Sequence, residues 1–223
     1  MLICEELFLL LTKDDGMPES LGVYKPYGMG GAVIGDLMLA GRLELEDGDD
    51  PRGRVRSPEP TGNPVLDRSL ARIVERDGKR LSTLLMDRRV NPEKAVVSSL
   101  ADARIITIRP RKILGLMPER HPVVDPAPER AIRARLAGVL AGDEPRPADV
   151  VLLTLLQGVG HAPKVLREEV GQLSPAELEE RIDTVADRLP DADAIGRTIT
   201  QMTGALVGSL AVAANGGDGT DTG

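Results

Sequence analysis

A chain of 223 residues is long enough to bury one hydrophobic core, or two small domains packed together. Its net charge of -7 at pH 7 disfavours a general nucleic-acid binder, which needs a basic face for phosphate contacts. With one Phe, two Tyr and no Trp, the core must be aliphatic, and modules that stack bases on aromatic rings are disfavoured as well.

The first helix carries the single cysteine, Cys4, which excludes an internal disulfide and fits a reducing cytoplasm. We expect this thiol to be a small buried hydrophobe. No secretory signal is evident, because Glu5 and Glu6 precede the apolar run at residues 7–11, where basic residues belong. The best candidate for a membrane span, residues 195–214, is interrupted by an arginine, polar residues and glycines, so we expect any membrane association to be peripheral.

Two apolar helices are predicted near the start of the chain. One covers residues 5–12 and ends in a turn, and the other covers residues 32–40 and is closed by Gly41 in a left-handed conformation. We interpret the glycine run at residues 28–31 as a flexible lead-in to the second helix. The run does not match a phosphate-binding loop, because Val33 stands where the third glycine of G-x-G-x-x-G belongs and no strand precedes it.

A strand pair and three helices are predicted next. Residues 42–46 alternate polar and apolar side chains, and residues 53–56 supply a weak returning strand. Pro64 opens a helix with Asn63 as its N-cap, and Asn91 precedes a proline in the same way at a later helix. The apolar faces of the three helices carry Leu66, Leu70, Ile73, Leu81, Leu84, Leu85, Ala95, Val96, Leu100 and Ala103.

Residues 105–116, with the sequence IITIRPRKILGL, place a cationic tip between two apolar arms. We predict a protruding β-hairpin that ends at Pro118, and its tip contains Arg109, Arg111 and Lys112. The alternative is that the apolar side chains pack inward and the basic residues only solubilise a turn, since apolar hairpin residues usually belong to the core. The side chains that decide between the two are Ile105, Ile106, Ile113 and Leu114.

Two helices followed by a basic hairpin also have the order of a winged-helix DNA-binding module. The helix before the hairpin would offer four side chains to a groove, but their charges nearly cancel and none is an arginine able to read guanine. We therefore rank DNA binding lowest and expect no nucleic-acid partner. The four side chains are Glu93, Lys94, Ser98 and Asp102.

The last hundred residues predict helices at 127–140, 147–159 and 193–214, and a further one that starts at the capping box of Ser174. The predicted fold class is mainly α, a single globular helical domain with small β-hairpins, one of them protruding. We place this domain at residues 1–214 and expect residues 215–223, rich in Gly, Asp and Thr, to be a disordered tail.

No pattern in the chain supports an enzyme, a metal site or a cofactor. The two histidines, His121 and His161, lack a nearby Cys or carboxylate at ligand spacing. The acidic turn at Asp47, Asp49 and Asp50 lacks the distal glutamate of a calcium loop. No serine elbow, Cys–His pair or pair of catalytic carboxylates stands out, so we expect a non-enzymatic protein without cofactors.

Four motifs in order carry a resemblance to a known family. They are EELFLLLTKDDG at residues 5–16, AVIGDLMLAGRLELEDG at 32–48, PTGNPVLDRSL at 60–70 and HPVVDP at 121–126. Together they resemble the Golgi phosphoprotein family, the domain of Golgi phosphoprotein 3 and its yeast vacuolar-sorting relative, with bacterial members. The resemblance extends to about residue 214, and because the long basic N-terminal arm of eukaryotic members is missing, it favours a bacterial-type member.

The resemblance implies a largely α-helical domain on the cytosolic face of a membrane. Eukaryotic members bind phosphatidylinositol 4-phosphate in a basic pocket, insert a hydrophobic hairpin into the bilayer, and bridge coat proteins and glycosyltransferase tails. The family's hairpin aligns with residues 105–117. The family's Trp and three basic pocket residues fall here at Leu21, Gly30, Val90 and Glu93. Other cations lie close by as candidates to substitute for them, namely Arg88, Arg89 and Lys94.

The leading hypothesis is a cytoplasmic protein associated peripherally with the inner face of a membrane, where it binds anionic phospholipid. The hypothesis assigns lipid binding to Arg109, Arg111, Lys112, Ile113, Leu114, Arg88 and Arg89. The alternative is a soluble protein-interaction scaffold whose hairpin mediates self-association, as a homo-oligomer or with an unidentified protein partner.

Overall fold

The computed structural model describes residues 1–19, 25–46, 48, 50–110, 119–171, 173–185 and 188. These residues are mainly helical and contain one small two-stranded antiparallel sheet, so the predicted fold class is confirmed. The elements, numbered along the chain, are α1 Ile3–Leu10, α2 Lys25–Leu39, β1 Leu43–Leu45, β2 Gly53–Val55, α3 Pro64–Val74, α4 Leu81–Met86, α5 Glu93–Asp102, α6 Ala127–Ala141, α7 Pro147–Gly158, α8 Ala162–Val165, α9 Arg167–Val170 and α10 Pro175–Asp183.

Helix α1 is the centre of the core, and every one of its residues is buried. It packs against α2, α5, α6 and α7, and α2 in turn packs against α7, α4 and α3. Cys4 is fully buried, as predicted. The first turn of α1 is held by Asp36 of α2, whose carboxylate accepts hydrogen bonds from Ile3 N at 2.8 Å and Cys4 N at 3.1 Å. This carboxylate satisfies two backbone N–H groups that a helix start leaves without partners.

The glycine run at residues 28–31 is part of α2, so its interpretation as a flexible lead-in is wrong. A Cβ added at Gly28 would lie 3.0 Å from Val159 Cγ1, and one at Gly30 would lie 3.4 Å from the carbonyl oxygen of Leu85. The glycines therefore permit close approach of α2 to the end of α7 and to α4. Gly41 does follow the helix with a φ of +65°, the left-handed conformation predicted for it.

Strands β1 and β2 pair as predicted, with Leu43 opposite Val55 and Leu45 opposite Gly53. The N-cap prediction for α3 is also confirmed, because Asn63 Oδ1 accepts a hydrogen bond from Val65 N at 2.9 Å. The capping box at Ser174 is present at the start of α10. The predicted helix at residues 193–214 and the tail at 215–223 lie outside the described residues.

The segment that follows α5 pairs differently from the prediction. Ile106 is bridged to Val123 and Arg109 to Arg120, in antiparallel register. The stretch around residues 120–123, beyond the predicted end of the hairpin at Pro118, therefore belongs to the returning arm, and Ile113 of the predicted arm lies outside the described residues. Hydrogen bonds to the loop at residues 14–16 hold this stretch in place, since His121 N donates to Gly16 O and Val123 N to Asp14 O.

The new register moves Arg109 from the predicted tip into the paired stem, where its backbone exchanges both hydrogen bonds with Arg120. Its side chain remains exposed. Ile105 and Ile106 are buried, as in the inward-packing alternative, whereas Ile108 is 43 % exposed. The described part of the first apolar arm thus contributes mostly to the core.

Candidate functional site

Helix α3, the segment at residues 87–92 and the start of α5 enclose a cavity of about 360 Å³, called here the α3–α5 pocket. Five of its lining side chains are cationic and two are acidic, in a chain whose acidic residues outnumber its basic ones. The lining residues are Arg68, Ala71, Arg72, Glu75, Arg88, Arg89, Asn91, Glu93, Lys94 and Ala95.

The segment at residues 87–92 is fixed in place by hydrogen bonds to two helices. Ser69 Oγ of α3 donates to the carbonyl oxygen of Val90 at 2.8 Å, and both residues are buried. On the other side, Asn91 Nδ2 donates to the carbonyl oxygen of Pro26 at 3.1 Å. The Asn91 side chain also accepts from Glu93 N at 2.8 Å and so starts α5. The pocket therefore has walls set by the fold and not by a free loop.

One cation of the pocket, Arg72, is fully engaged by carboxylates. It contacts Asp87 at 2.7 Å and Glu75 at 2.7 Å, and its side chain is only 14 % exposed. The hydrogen bond from Arg72 and the charge of Arg89 lower the pKa of Glu75. Burial opposes ionisation of Asp87, but the hydrogen bond from Arg72 leaves the pKa of Asp87 below its ordinary value. Both carboxylates are therefore ionised at neutral pH and hold Arg72 as part of the wall.

Three other cations of the pocket are exposed and have no acidic partner among the described residues: Arg68, Arg88 and Lys94. Arg89 is intermediate in its pairing between Arg72 and these three cations. Its nearest carboxylate oxygen, Glu75 Oε2, is 3.4 Å away, and both side chains are more than half exposed. Such an exposed pair is weak. The pocket thus presents cations that a ligand can reach without breaking a strong internal ion pair.

The start of α5 adds two backbone donors to the pocket. Within the described part of the chain, the N–H groups of Lys94 and Ala95 have no acceptor, whereas Glu93 N is bonded to Asn91 and Val96 N to Pro92. Unpaired N–H groups at a helix N-terminus attract anions, and the helix dipole has the same sign there. Side chains and backbone therefore favour the same kind of ligand, an anion.

The described positions that align with the family's headgroup pocket do not form an anion-binding site in this chain. Gly30 packs against Leu85, Val90 is fully buried, and Glu93 forms an ion pair with Lys25 at 3.0 Å. Lys25 also covers the ring of Phe8, with its Nζ 4.5 Å from the ring centroid. Leu21 lies outside the described residues. None of these three described positions carries a free cation, and the charge of Lys25 is already neutralised by Glu93.

The lipid-binding residues predicted from the sequence fall into two groups. Arg88 and Arg89 line the α3–α5 pocket before α5, and Arg109 lies on the hairpin stem beyond the other end of that helix. The ten residues of α5 span about 15 Å, which is too far for one headgroup to contact both groups. The other predicted residues lie outside the described ranges, namely Arg111, Lys112, Ile113 and Leu114.

Arg68 and Arg72 were missed by the sequence reasoning, which considered only the apolar face of their helix. They stand four residues apart, a spacing that places both on one face of α3. That spacing is the signal that could have found them. Alone it is weak, because most cations on a helix face are simply solvated, and only the pairing of α3 with residues 87–95 turns it into a pocket wall.

Other kinds of site find no support in the described part of the chain. Its His, Cys, Asp and Glu side chains form no group of three or more that could hold a metal ion. None of its helices combines the length and the apolar character needed to cross a membrane.

The comparisons with known proteins agree with the motif order found in the sequence. Among curated proteins, none matches the chain. The family model of Golgi phosphoprotein 3 (GPP34), by contrast, matches residues 3–206, which is most of the chain and includes the whole α3–α5 pocket. The protein therefore belongs to the Golgi phosphoprotein 3 (GPP34) family.

Proposed function

We propose that this chain is a non-enzymatic peripheral membrane protein that binds anionic lipid headgroups, with the α3–α5 pocket as its main contact. Family membership suggests lipid binding of the phosphatidylinositol 4-phosphate type and attachment to a membrane. The observation that carries the proposal is the set of exposed, unpaired cations in the pocket, Arg68, Arg88 and Lys94. An acidic chain that gathers cations without acidic partners has a surface suited to an anionic partner.

Electrostatics supports the proposal quantitatively. Each Lys or Arg near an anionic membrane surface contributes about 1 kcal/mol, so three pocket cations together favour binding by about 3 kcal/mol, or roughly a hundredfold. The negative charges elsewhere on the chain oppose this attraction weakly, because charges more than about 10 Å from the surface are largely screened at cellular salt.

The hairpin is the second contact in this proposal. Arg109 is exposed on the stem, and Arg111 and Lys112 would add charge beside the membrane. Insertion of Ile113 and Leu114 into the bilayer would contribute roughly 1.5–3 kcal/mol apiece at the upper end. In this arrangement the pocket selects the headgroup, and the hairpin strengthens attachment.

Co-sedimentation with vesicles tests the proposal. Vesicles of phosphatidylcholine alone are compared with vesicles that also contain phosphatidylglycerol, at two salt concentrations. We expect sedimentation only with the anionic vesicles, weakened by salt, and a further loss for the double substitution Ile113→Asp and Leu114→Asp. Equal binding to both vesicles would reject recognition of anionic headgroups, and binding to neither would reject lipid binding as the function.

The protein-interaction scaffold remains the second candidate, and two exposed apolar side chains beside the hairpin stem favour it. Ile108 is 43 % exposed and Val124 is 60 % exposed. If the hairpin mediates self-association, the double substitution Ile113→Asp and Leu114→Asp abolishes oligomers in sedimentation velocity and leaves vesicle binding unchanged. If it contacts lipid, the same double substitution weakens vesicle binding.

A further inference from the structure

Phe8 is the single phenylalanine of the chain, and its ring contacts two parts of the molecule that the proposed function treats separately. The ring belongs to α1 and is fully buried. Lys25, the first residue of α2, places its Nζ 4.5 Å from the ring centroid. The imidazole of His121, on the returning arm of the hairpin, meets the same ring edge-on, with 5.6 Å between the centroids. One aromatic ring therefore contacts a cation on a helix and the stem of the hairpin.

On the side of the pocket, Lys25 is held by Glu93. Its Nζ lies 3.0 Å from Glu93 Oε1, and both side chains are partly exposed. Glu93 lines the α3–α5 pocket, whereas Lys25 does not. The other acidic residue of the wall, Glu75, pairs with Arg72 and Arg89, which line the same cavity. The Glu93 carboxylate therefore connects the cavity to a cation that lies outside its wall.

On the side of the hairpin, His121 is held by its backbone as well as by its ring. Its backbone N–H donates to the carbonyl oxygen of Gly16 at 3.2 Å, and its Nε2 lies 3.0 Å from Glu119 Oε1. The preceding residue, Arg120, exchanges both backbone hydrogen bonds with Arg109. A change in the contact between the α1 ring and the imidazole therefore acts directly on the paired stem.

An anion in the pocket acts on the pair of Lys25 and Glu93 from both ends. It repels the Glu93 carboxylate and attracts the Lys25 ammonium. The ammonium lies at the end of a flexible four-carbon stem, so it is free to move toward the cavity while α2 stays in place. Such a move weakens the cation–π contact, which contributes on the same scale as a partly exposed ion pair. The Phe8 ring then loses one of the two groups that hold it against its neighbours.

We propose that Lys25 and Phe8 couple the α3–α5 pocket to the hairpin stem: an anion in the pocket draws Lys25 away from Phe8 and thereby loosens the packing of His121. The inference rests on the proposed function, to which it adds a regulatory link between the two lipid contacts. Because coupling between two sites is reciprocal, a looser stem tightens anion binding by the same factor. Occupation of the pocket then favours release of the stem at the membrane surface.

A double-mutant cycle on the protein alone tests the coupling. Glu93→Gln and His121→Leu are measured singly and together by urea denaturation, in the wild-type and Lys25→Met backgrounds. Glu93 and His121 share no hydrogen bond, ion pair or ring contact in the described part of the chain, so independent effects would add. We expect the unfolding constant to depart from additivity about threefold to fivefold in the wild-type background and not in Lys25→Met.

Lys79→Met, at an exposed lysine elsewhere, is the matched control background and should keep the departure from additivity. Circular dichroism checks that each variant is folded. Additive effects in the wild-type background, or an equal departure in Lys25→Met, would overturn the inference.

Amide hydrogen exchange reads the stem itself. The N–H groups of Arg109 and Arg120 are bonded across the stem, so their exchange rates report how often the pairing opens. We expect Lys25→Met to raise both rates about threefold to fivefold, and Lys79→Met to leave them unchanged. Unchanged rates in Lys25→Met would contradict a role for Lys25 in holding the stem.

Vesicles of phosphatidylcholine with phosphatidylglycerol test the reciprocal half of the coupling. His121→Leu loosens the stem, so it should tighten binding about threefold to fivefold in the wild-type background and have no effect in Lys25→Met. The same effect in both backgrounds would reject transmission through Lys25. Absence of any vesicle binding rejects the proposed function, while the cycle, measured without lipid, still supports or overturns the coupling.

Discussion

The centre of the helical core and the α3–α5 pocket differ in whether their exposed or buried cations have acidic partners. In the core, Arg135 of α6 contacts Glu6 of α1 at 2.5 Å and Asp149 of α7 at 2.7 Å, and both carboxylates are buried. In the pocket, Arg68 and Arg88 are exposed and have no acidic partner among the described residues. One set of charges joins helices, and the other is open to a ligand.

The difference shows which charges are structural. A buried charge must be paired, because an unpaired one would bear a large desolvation penalty. Exposed cations face no such requirement, but this chain has 35 acidic and 28 basic residues, so partners are abundant. Cations that nevertheless remain unpaired in one cavity repel each other, and an anionic ligand relieves that repulsion. The following predictions test the two sides of this comparison in order of decreasing effect.

Removal of the core arginine should have the largest effect. Arg135→Met removes the closest cation shared by Glu6 and Asp149, although Arg146 still contacts Asp149 at 2.8 Å and lies 4.0 Å from Glu6. We expect the free energy of unfolding to fall by about 3 kcal/mol, measured by urea denaturation. Arg130→Met on the exposed side of the same helix is the control and should change stability little. Equal effects of the two substitutions would contradict a structural role for the buried pairs.

Asp36 should make stability depend on pH. Burial raises its pKa to about 6 from an ordinary value of 3.8, against the opposing hydrogen bonds from Ile3 and Cys4. Because the folded chain then binds this proton more tightly than the unfolded chain, the carboxyl's contribution to stability is full below about pH 4. It is lost as the pH rises through about 6, by about 3 kcal/mol in total.

Asp36→Asn removes this titration, at the cost of the acceptor for Cys4 N. The difference in unfolding free energy between wild type and variant should therefore shift in favour of the variant from pH 4 to pH 7. Glu6 and Glu129 also have pKa values raised by burial, so the difference, and not the wild-type curve alone, is the relevant quantity. Asp102→Asn, at an exposed carboxylate, is the control. A difference that does not change with pH would contradict the burial argument.

Removal of the N-cap of α3, the helix that forms one wall of the pocket, should have a smaller effect on stability. Asn63→Ala removes the acceptor for Val65 N and should lower the unfolding free energy by about 1 kcal/mol. Asn63→Asp retains a capping oxygen and should stay close to wild type. Because α3 remains packed in both variants, vesicle binding should not change. A loss of binding without a loss of stability would show that the cap, and not the cations, controls the pocket.

Features set by local chemistry could be predicted from the sequence. Asn63 and Ser174 act as caps because each bonds within its own first turn, and Gly41 takes a left-handed conformation that its neighbours require. Features that depend on contacts between residues far apart in the sequence could not be predicted in this way. The pairing of Ile106 with Val123 and of Arg109 with Arg120 lies beyond the predicted end of the hairpin and is accompanied by contacts with the loop at residues 14–16, which no local pattern reveals.

The candidate site shows the same division. Arg88 and Arg89 were predicted as lipid-binding residues, from their nearness in sequence to the aligned family positions, and both line the pocket. Their role in binding stays a prediction. Arg68 was not predicted, because a cation on a helix face is usually solvated, and its meaning depends on how α3 packs beside residues 87–95. The interpretation of the glycine run was wrong for a related reason. Gly28 and Gly30 permit close helix packing, and the sequence pattern does not distinguish glycines that permit packing from glycines that give flexibility.

The most direct test of the unpaired cations is co-sedimentation with phosphatidic acid vesicles of two triple variants that carry the same net charge. One replaces Arg68, Arg88 and Lys94 with Gln, and the other replaces an equal number of exposed cations outside the pocket. We predict that the pocket variant loses about a hundredfold in affinity and that the other stays within a few-fold of wild type. Equal losses in the two variants would contradict the pocket as the binding site and leave only a general charge effect.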